Sequence, residues 1–266
     1  MYSSSQLAIK YLRYQITASN KKGHGIHSPF VFEFITQVLN DDRQYYCYQN
    51  IEQLREQLKL NKTELTIEDY GAGSRTNATY KRKISEIAAS SLKPKKFGQL
   101  LFRMVNFYQP KNVIELGTSL GITAAYLASA NTSIPVITME GAKQVAAVSK
   151  NNFQKLQLKN IKIVEGNFDE TLLTTLNKLS TPPDFVFIDG NHRKEPTIRY
   201  FEILLSKITE QSILVFDDIH WSKEMEEAWD FIKAHAAVTL TIDLFFIGIV
   251  FFRREQKVKQ HFSIKF

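Results

Sequence analysis

From residue 112 onward the chain repeats one pattern. A short, unbroken apolar run is followed by a stretch of roughly 12–18 residues with helical spacing. The runs lie at residues 113–116, 136–139, 161–164, 185–188 and 213–216. Runs without polar alternation suit parallel strands covered on both faces, and parallel strands need connections of helix length. Two further runs, 238–244 and 246–252, have almost no room between them, which predicts a terminal antiparallel pair. The expected fold is α/β: a doubly wound, Rossmann-like seven-stranded sheet with a reversed last strand.

The remaining sequence bounds the function. With 266 residues, 44% of them apolar, the chain can bury a large core without staples. The single cysteine, Cys47, excludes an intrachain disulfide framework and a Cys-based zinc site. The longest apolar run, 244–252, is too short to span a bilayer, and the N-terminus lacks the apolar core of a signal peptide. These features predict a soluble, cytoplasmic protein without a membrane span. The net charge of +7 is uneven. Residues 61–112 carry +6, 113–252 carry −5 and 253–266 carry +4. Basic flanks admit an anionic substrate or nucleic acid, but no RNA-binding signature with interleaved aromatics is present.

Residues 1–96 read as a mostly helical N-terminal extension, 97–252 as the ligand-binding domain and 253–266 as a basic tail. Val31, Phe34, Ile35 and Val38 form one apolar helical stripe, and Ser28 before Pro29 is a helix-start signal. Residues 83–92 and 97–108 also show helical spacing. The Gly23–Phe30 loop, with His24 and His27, is a candidate lid, and Gly71–Arg75 a candidate second substrate turn or a plain linker. The N-terminal helical apolar residues and the tail aromatics Phe262 and Phe266 are available to cover the core or a homodimer interface.

Ligands in open α/β sheets bind beyond the carboxyl ends of the strands. After the first strand come Gly117 and Gly121, which allow a tight turn and point a helix N-terminus at a ligand. The nicotinamide-dinucleotide fingerprint is broken, because Ser119 and Ile122 stand where its second and third glycines belong. Glu140 ends the second strand, where a carboxylate can accept from ribose hydroxyls. Phe168 and Asp169 follow the third, and suit an adenine face and its amino group.

ELGTSLG, the acid in TMEG, then EGNFD, FVFIDGNH and VFDD together resemble the class I S-adenosylmethionine-dependent methyltransferases. The resemblance covers about residues 97–252. It implies strand order 3-2-1-4-5-7-6 with the seventh strand antiparallel. It implies that Glu115, Gly117, Thr118, Ser119, Gly121, Glu140, Asn167, Phe168, Asp169 and Asp189 bind S-adenosylmethionine.

Asp189 ends the fourth strand, and Asp217 and Asp218 end the fifth. Three carboxylates in one patch repel one another unless a cation joins them, and all-oxygen donors suit Mg²⁺ or Mn²⁺. The pattern is similar to the metal-dependent small-molecule O-methyltransferases of the catechol and caffeoyl-coenzyme A types. Asp218 departs from the asparagine usual there, although an Asp-Asp pair also occurs in sugar and macrolide O-methyltransferases. His192 stands where the catechol-type enzymes carry lysine. His192 and His220 are the candidate general bases, and Trp221 a candidate wall of the acceptor site. The expected activity is methyl transfer to a hydroxyl of a small molecule. A metal-independent methyltransferase acting on nitrogen or RNA, and a non-catalytic cofactor-binding interaction module, are the alternatives the residues leave open.

Overall fold

The computed structural model describes residues 1–23, 25–68 and 79–266. They form two compact units, one of residues 1–41 with 182–266, the other of residues 42–181.

The first unit opens with α1 (Ser4–Thr17). Ser3 caps it: its Oγ accepts from the Gln6 N–H, and the Gln6 side chain accepts from the Ser3 N–H at 2.9 Å. α2 (Pro29–Phe34) starts as expected, with Ser28 accepting from the Val31 N–H and Pro29 in the first turn. It runs on into a π-helical turn, Ile35–Leu39. Val31, Phe34, Ile35 and Val38 are fully buried, so the apolar stripe faces the core.

The second unit contains α3 (Tyr48–Leu60), β1 (Glu64–Glu68), β2 (Thr79–Lys83), α4 (Ile84–Ser91) and α5 (Lys95–Tyr108). It continues with β3 (Val113–Leu116), α6 (Ile122–Ala130), β4 (Val136–Glu140), α7 (Lys143–Lys155), β5 (Ile161–Glu165) and α8 (Phe168–Asn177). β4 lies between β3 and β5, all parallel. The core joins Tyr48, Ile51 and Leu54 of α3 to Phe102 of α5 and Tyr126 of α6. Thus residues 42–96, read from sequence as part of an extension, share a core with the segment after residue 97.

β1 and β2 form an antiparallel pair that the sequence reading missed. β1 does carry a period-two signal: Leu65 and Ile67 are buried while Glu64 and Thr66 are exposed. β2 reads Thr-Tyr-Lys-Arg-Lys, with no apolar alternation to mark it. The expected Gly71–Arg75 turn lies outside the described residues, as does His24 of the Gly23–Phe30 loop.

The first unit resumes with β6 (Phe185–Ile188), α9 (Lys194–Leu205), β7 (Ile213–Asp217), α10 (Lys223–Ala234), β8 (Leu240–Asp243), β9 (Ile247–Phe251) and β10 (Gln260–Ser263). β6 and β7 are parallel, and β9 pairs antiparallel with both β7 and β8. Within the units, the strand runs β5-β4-β3 and β6-β7-β9-β8 are the two parts of the expected 3-2-1-4-5-7-6 order. β10 is an eighth strand, inside the segment expected as a basic tail, and pairs parallel with β8. His261 and Phe262 carry that ladder, and the Ile264 N–H extends it to the Asp243 carbonyl.

Candidate functional site

In the second unit the chain after β3 turns sharply. Gly117 (φ 105°), Ser119 (φ 47°) and Gly121 (φ 83°) all have left-handed backbones. The Gly121 N–H closes the turn onto the Thr118 carbonyl at 2.9 Å. A Cβ on Gly121 would lie 2.6 Å from Phe153 Cε1, so glycine is required for space as well as for φ. α6 begins at the next residue, and its first-turn N–H groups face the turn.

Glu140 ends β4. Its Oε2 accepts from the Ser119 N–H at 2.8 Å and its Oε1 from the Ala142 N–H at 3.0 Å. The carboxylate is therefore fixed against the glycine turn before any ligand arrives. Burial pushes its pKa up, and the N–H groups of Ala142, Ser119 and Gly141 oppose that shift only in part. Beneath it a buried chain runs from the Thr118 hydroxyl to the Thr138 hydroxyl at 2.6 Å, and from Thr138 to the Glu115 carboxylate. Glu115 is wholly buried, so it acts from behind the turn. Thr138 was missed from sequence, although it is the one hydroxyl in β4.

After β5 the Asn167 side chain caps α8, accepting from the Asp169 N–H at 3.1 Å. Phe168 is half-buried and Asp169 exposed. The second unit thus gathers strand-end residues of β3, β4 and β5: a tight turn, a fixed carboxylate and an aromatic ring.

The first unit carries the remaining candidates. Asp189, His192 and Asp217 each offer a donor atom, and these atoms all lie within 4.8 Å of one another. Asp217 is buried in the last position of β7, while Asp189 and His192 follow β6 and are partly open. His192 Nε2 lies 3.5 Å from Asp189 Oδ1. Asp218, expected as a ligand, is not in this group. Its backbone is left-handed (φ 53°), and its N–H donates to the Phe246 carbonyl at 2.6 Å.

His220 is placed where a general base is poorly served. Its Nε2 lies 2.8 Å from Asp243 Oδ2 and its Nδ1 lies 3.0 Å from Glu226 Oε1. Burial alone would lower its pKa, but the bond to Asp243 and that carboxylate's charge, followed by those of Glu226, raise it. Glu226 also accepts from the Tyr2 hydroxyl at 2.6 Å and from Lys10 Nζ at 3.0 Å. His220 therefore ties β8 to α10, and through Glu226 to Tyr2 and Lys10, with both ring nitrogens engaged by carboxylates rather than left open for the expected base role. Asp243 is a strand-end residue, so the rule that found Asp189 and Asp217 also points to it. Trp221 is half-buried, and its carbonyl accepts from the Tyr2 N–H at 3.2 Å.

Comparison with known proteins finds similarity to methyltransferases. Residues 114–219 match the family described as methyltransferase domain. A catechol O-methyltransferase of Niastella koreensis is 29% identical over 127 residues, which are 46% of this chain and 55% of that protein. The chain thus matches about half the length of that relative. The structure is similar to an O-methyltransferase of Bacillus cereus in complex with S-adenosylhomocysteine (TM-score 0.57, 18% identity, 84% of this chain and 97% of that one). It is also similar to an S-adenosylhomocysteine-bound methyltransferase of Podospora anserina (TM-score 0.59, 12% identity, 95% and 97%). The chain shares the α/β fold of these methyltransferase structures.

Proposed function

We propose that this protein transfers the methyl group of S-adenosylmethionine to a hydroxyl of a small-molecule acceptor, and that a divalent cation held by Asp189, His192 and Asp217 assists. The observation that carries the reading is the convergence of those three side chains at the ends of β6 and β7. The second unit, by itself, carries a glycine turn and a fixed carboxylate of the kind that hold an adenosyl group.

The residues fit both groups. Glu140 presents a carboxylate already oriented by Ser119 and Ala142, and Gly117 and Gly121 let backbone approach closely. Ligands about 2.1 Å from one ion stand at most about 4.2 Å apart, so the three donor atoms, which lie within 4.8 Å of one another, would draw together to hold one ion. Two carboxylates and an imidazole suit Mn²⁺ as well as Mg²⁺. When bound, the sulfonium donor supplies an activated methyl group, and a cation lowers the pKa of an acceptor hydroxyl. The protein's own work is then to orient the acceptor and dispose of its proton. Positioning of this kind is worth roughly 7–11 kcal/mol when reacting atoms are held at near-attack distance. The reading keeps the cytoplasmic location expected from the sequence.

The 3.5 Å approach of His192 to Asp189 supports a second reading. In it Asp189 orients the imidazole, and His192 takes the acceptor proton without a metal.

Titration calorimetry with S-adenosylhomocysteine and then catechols or sugars, in Mn²⁺ or Mg²⁺ and again in EDTA, tests both. Acceptor binding that requires the metal supports the first reading. Turnover that persists in EDTA and is lost in His192→Ala supports the second. Absence of S-adenosylhomocysteine binding overturns the proposal.

A further inference from the structure

A surface helix ordinarily buries one apolar stripe and shows polar residues on the other side. α1 departs from this. Its inner face is Leu7, Tyr11, Tyr14 and Ala18, which pack with Phe245 and Phe246. On the opposite face Ile9, Leu12 and Ile16 recur at i, i+3 and i+7, and they are 68%, 61% and 73% exposed. The helix cannot roll to hide them. Lys10 and Tyr2 are bound to Glu226, and the Tyr14 hydroxyl donates to the Ile264 carbonyl. The outer stripe is thus held in water by contacts on the inner side.

Charge indicates what covers it. The first acidic residue of the chain is Glu33, whereas Lys10, Arg13, Lys21 and Lys22 precede it. Arg13 is exposed beside Ile9 and Ile16, and Lys21 and Lys22 are exposed in the turn that follows the helix. A second copy of α1 would bring no acid to meet these cations. A single stripe of three aliphatic side chains is also far short of the roughly 800 Å² per partner that a stable protein interface buries. It carries none of the tryptophan or tyrosine anchors that concentrate binding energy at such interfaces. A bilayer needs no matching shape. Shallow insertion of aliphatic side chains, with basic groups at the headgroup level, is the chemistry of interfacial helices.

We propose that the outer face of α1, Ile9, Leu12 and Ile16 with Arg13, docks this protein reversibly onto an anionic lipid surface. The inference is independent of the catalytic reading.

The test is co-sedimentation of the full chain with phosphatidylcholine vesicles, with and without phosphatidylglycerol, at low and high salt. The expected result is binding that requires phosphatidylglycerol and weakens with salt. The triple variant Ile9→Ser/Leu12→Ser/Ile16→Ser, changed only at exposed positions, is expected to bind at least about tenfold more weakly, a loss of about 1.4 kcal/mol. Its circular dichroism and melting are expected to match the parent. No binding to phosphatidylglycerol vesicles, or binding indifferent to the triple variant, overturns the proposal. So does a dimer in light scattering that the triple variant dissociates, because the occupant is then a second copy.

Discussion

Nε2 of His220 lies 2.8 Å from Oδ2 of Asp243, and the other ring nitrogen is taken by Glu226. A histidine bonded on both sides by carboxylates is most stable as the imidazolium. Its folded pKa is raised, so its contribution to stability is complete below the unfolded value of about 6.5 and is lost as pH rises through the folded value. His220→Gln is expected to cost about 1–3 kcal/mol at pH 6, in the range of bonds to charged groups. The cost shrinks at alkaline pH. Urea unfolding of both proteins across that range checks it, and a pH-independent difference would contradict the brace.

Glu140 predicts an opposite compromise. Its carboxyl pKa is raised by burial, so the fold favours the protonated form. Its stability contribution is present at low pH and is lost as pH rises through the folded value. At neutral pH the buried charge is a cost to stability, which the proposed cofactor role of Glu140 would account for. Glu140→Gln relieves the buried charge at pH 7 but loses one of the two accepted N–H bonds, and the relief is expected to fade as pH falls through the raised folded value and to be gone below about 4.3. It is expected to bind S-adenosylhomocysteine about ten- to a hundredfold more weakly, for loss of a charge-assisted acceptor. Scanning calorimetry and titration together decide; a variant both less stable and unimpaired in binding contradicts the assignment.

The strand framework was legible because parallel strands buried on both faces are written as continuous apolar runs. Val113–Leu116, Phe185–Ile188 and the other runs needed no long-range information. Three things were not legible. β2 is an edge strand of lysine and arginine, whose pairing with β1 depends on a partner rather than on its own pattern. Asp218 has a positive φ, which sequence does not disclose for an aspartate. The role of His220 depends on Asp243 and Glu226, which reach it from β8 and α10. Residue type and strand-end position pointed to Asp189, His192 and Asp217, whose donor atoms the structure brings within 4.8 Å of one another.

Gly121 and Gly25 separate crowding from backbone strain. Both have left-handed φ, 83° and 79°. A Cβ on Gly25 meets nothing within 4 Å, whereas one on Gly121 lies 2.6 and 2.8 Å from the ring of Phe153. Phe153 is itself buried and has little room to yield. Gly25→Ala is expected to cost about 1 kcal/mol, the left-handed penalty alone. Gly121→Ala is expected to cost about 2–4 kcal/mol by adding overpacking. It should also weaken cofactor binding through displacement of the turn. Denaturant midpoints check the ordering, and equal costs would show that crowding does not matter there.

Asp217 and His192 distinguish the two ways of activating an acceptor. Asp217 is buried and belongs to the donor group, but it is not among the residues that shape the glycine turn. Asp217→Asn keeps the shape and removes the charge. In the metal reading it is expected to lower kcat by about 10²–10⁴, a range typical of a lost proton-transfer or electrostatic group. Affinity for S-adenosylhomocysteine should change little. Added Mn²⁺ should restore part of the loss, because mass action refills a weakened site. His192→Ala is expected to behave in the same way if the imidazole is a ligand. If His192 is the base, Mn²⁺ does not help, and the rate of the variant rises with pH as hydroxide replaces the lost imidazole. The pH profile of kcat with and without Mn²⁺ therefore assigns the residue. Full activity in both variants removes His192 and Asp217 from the reaction.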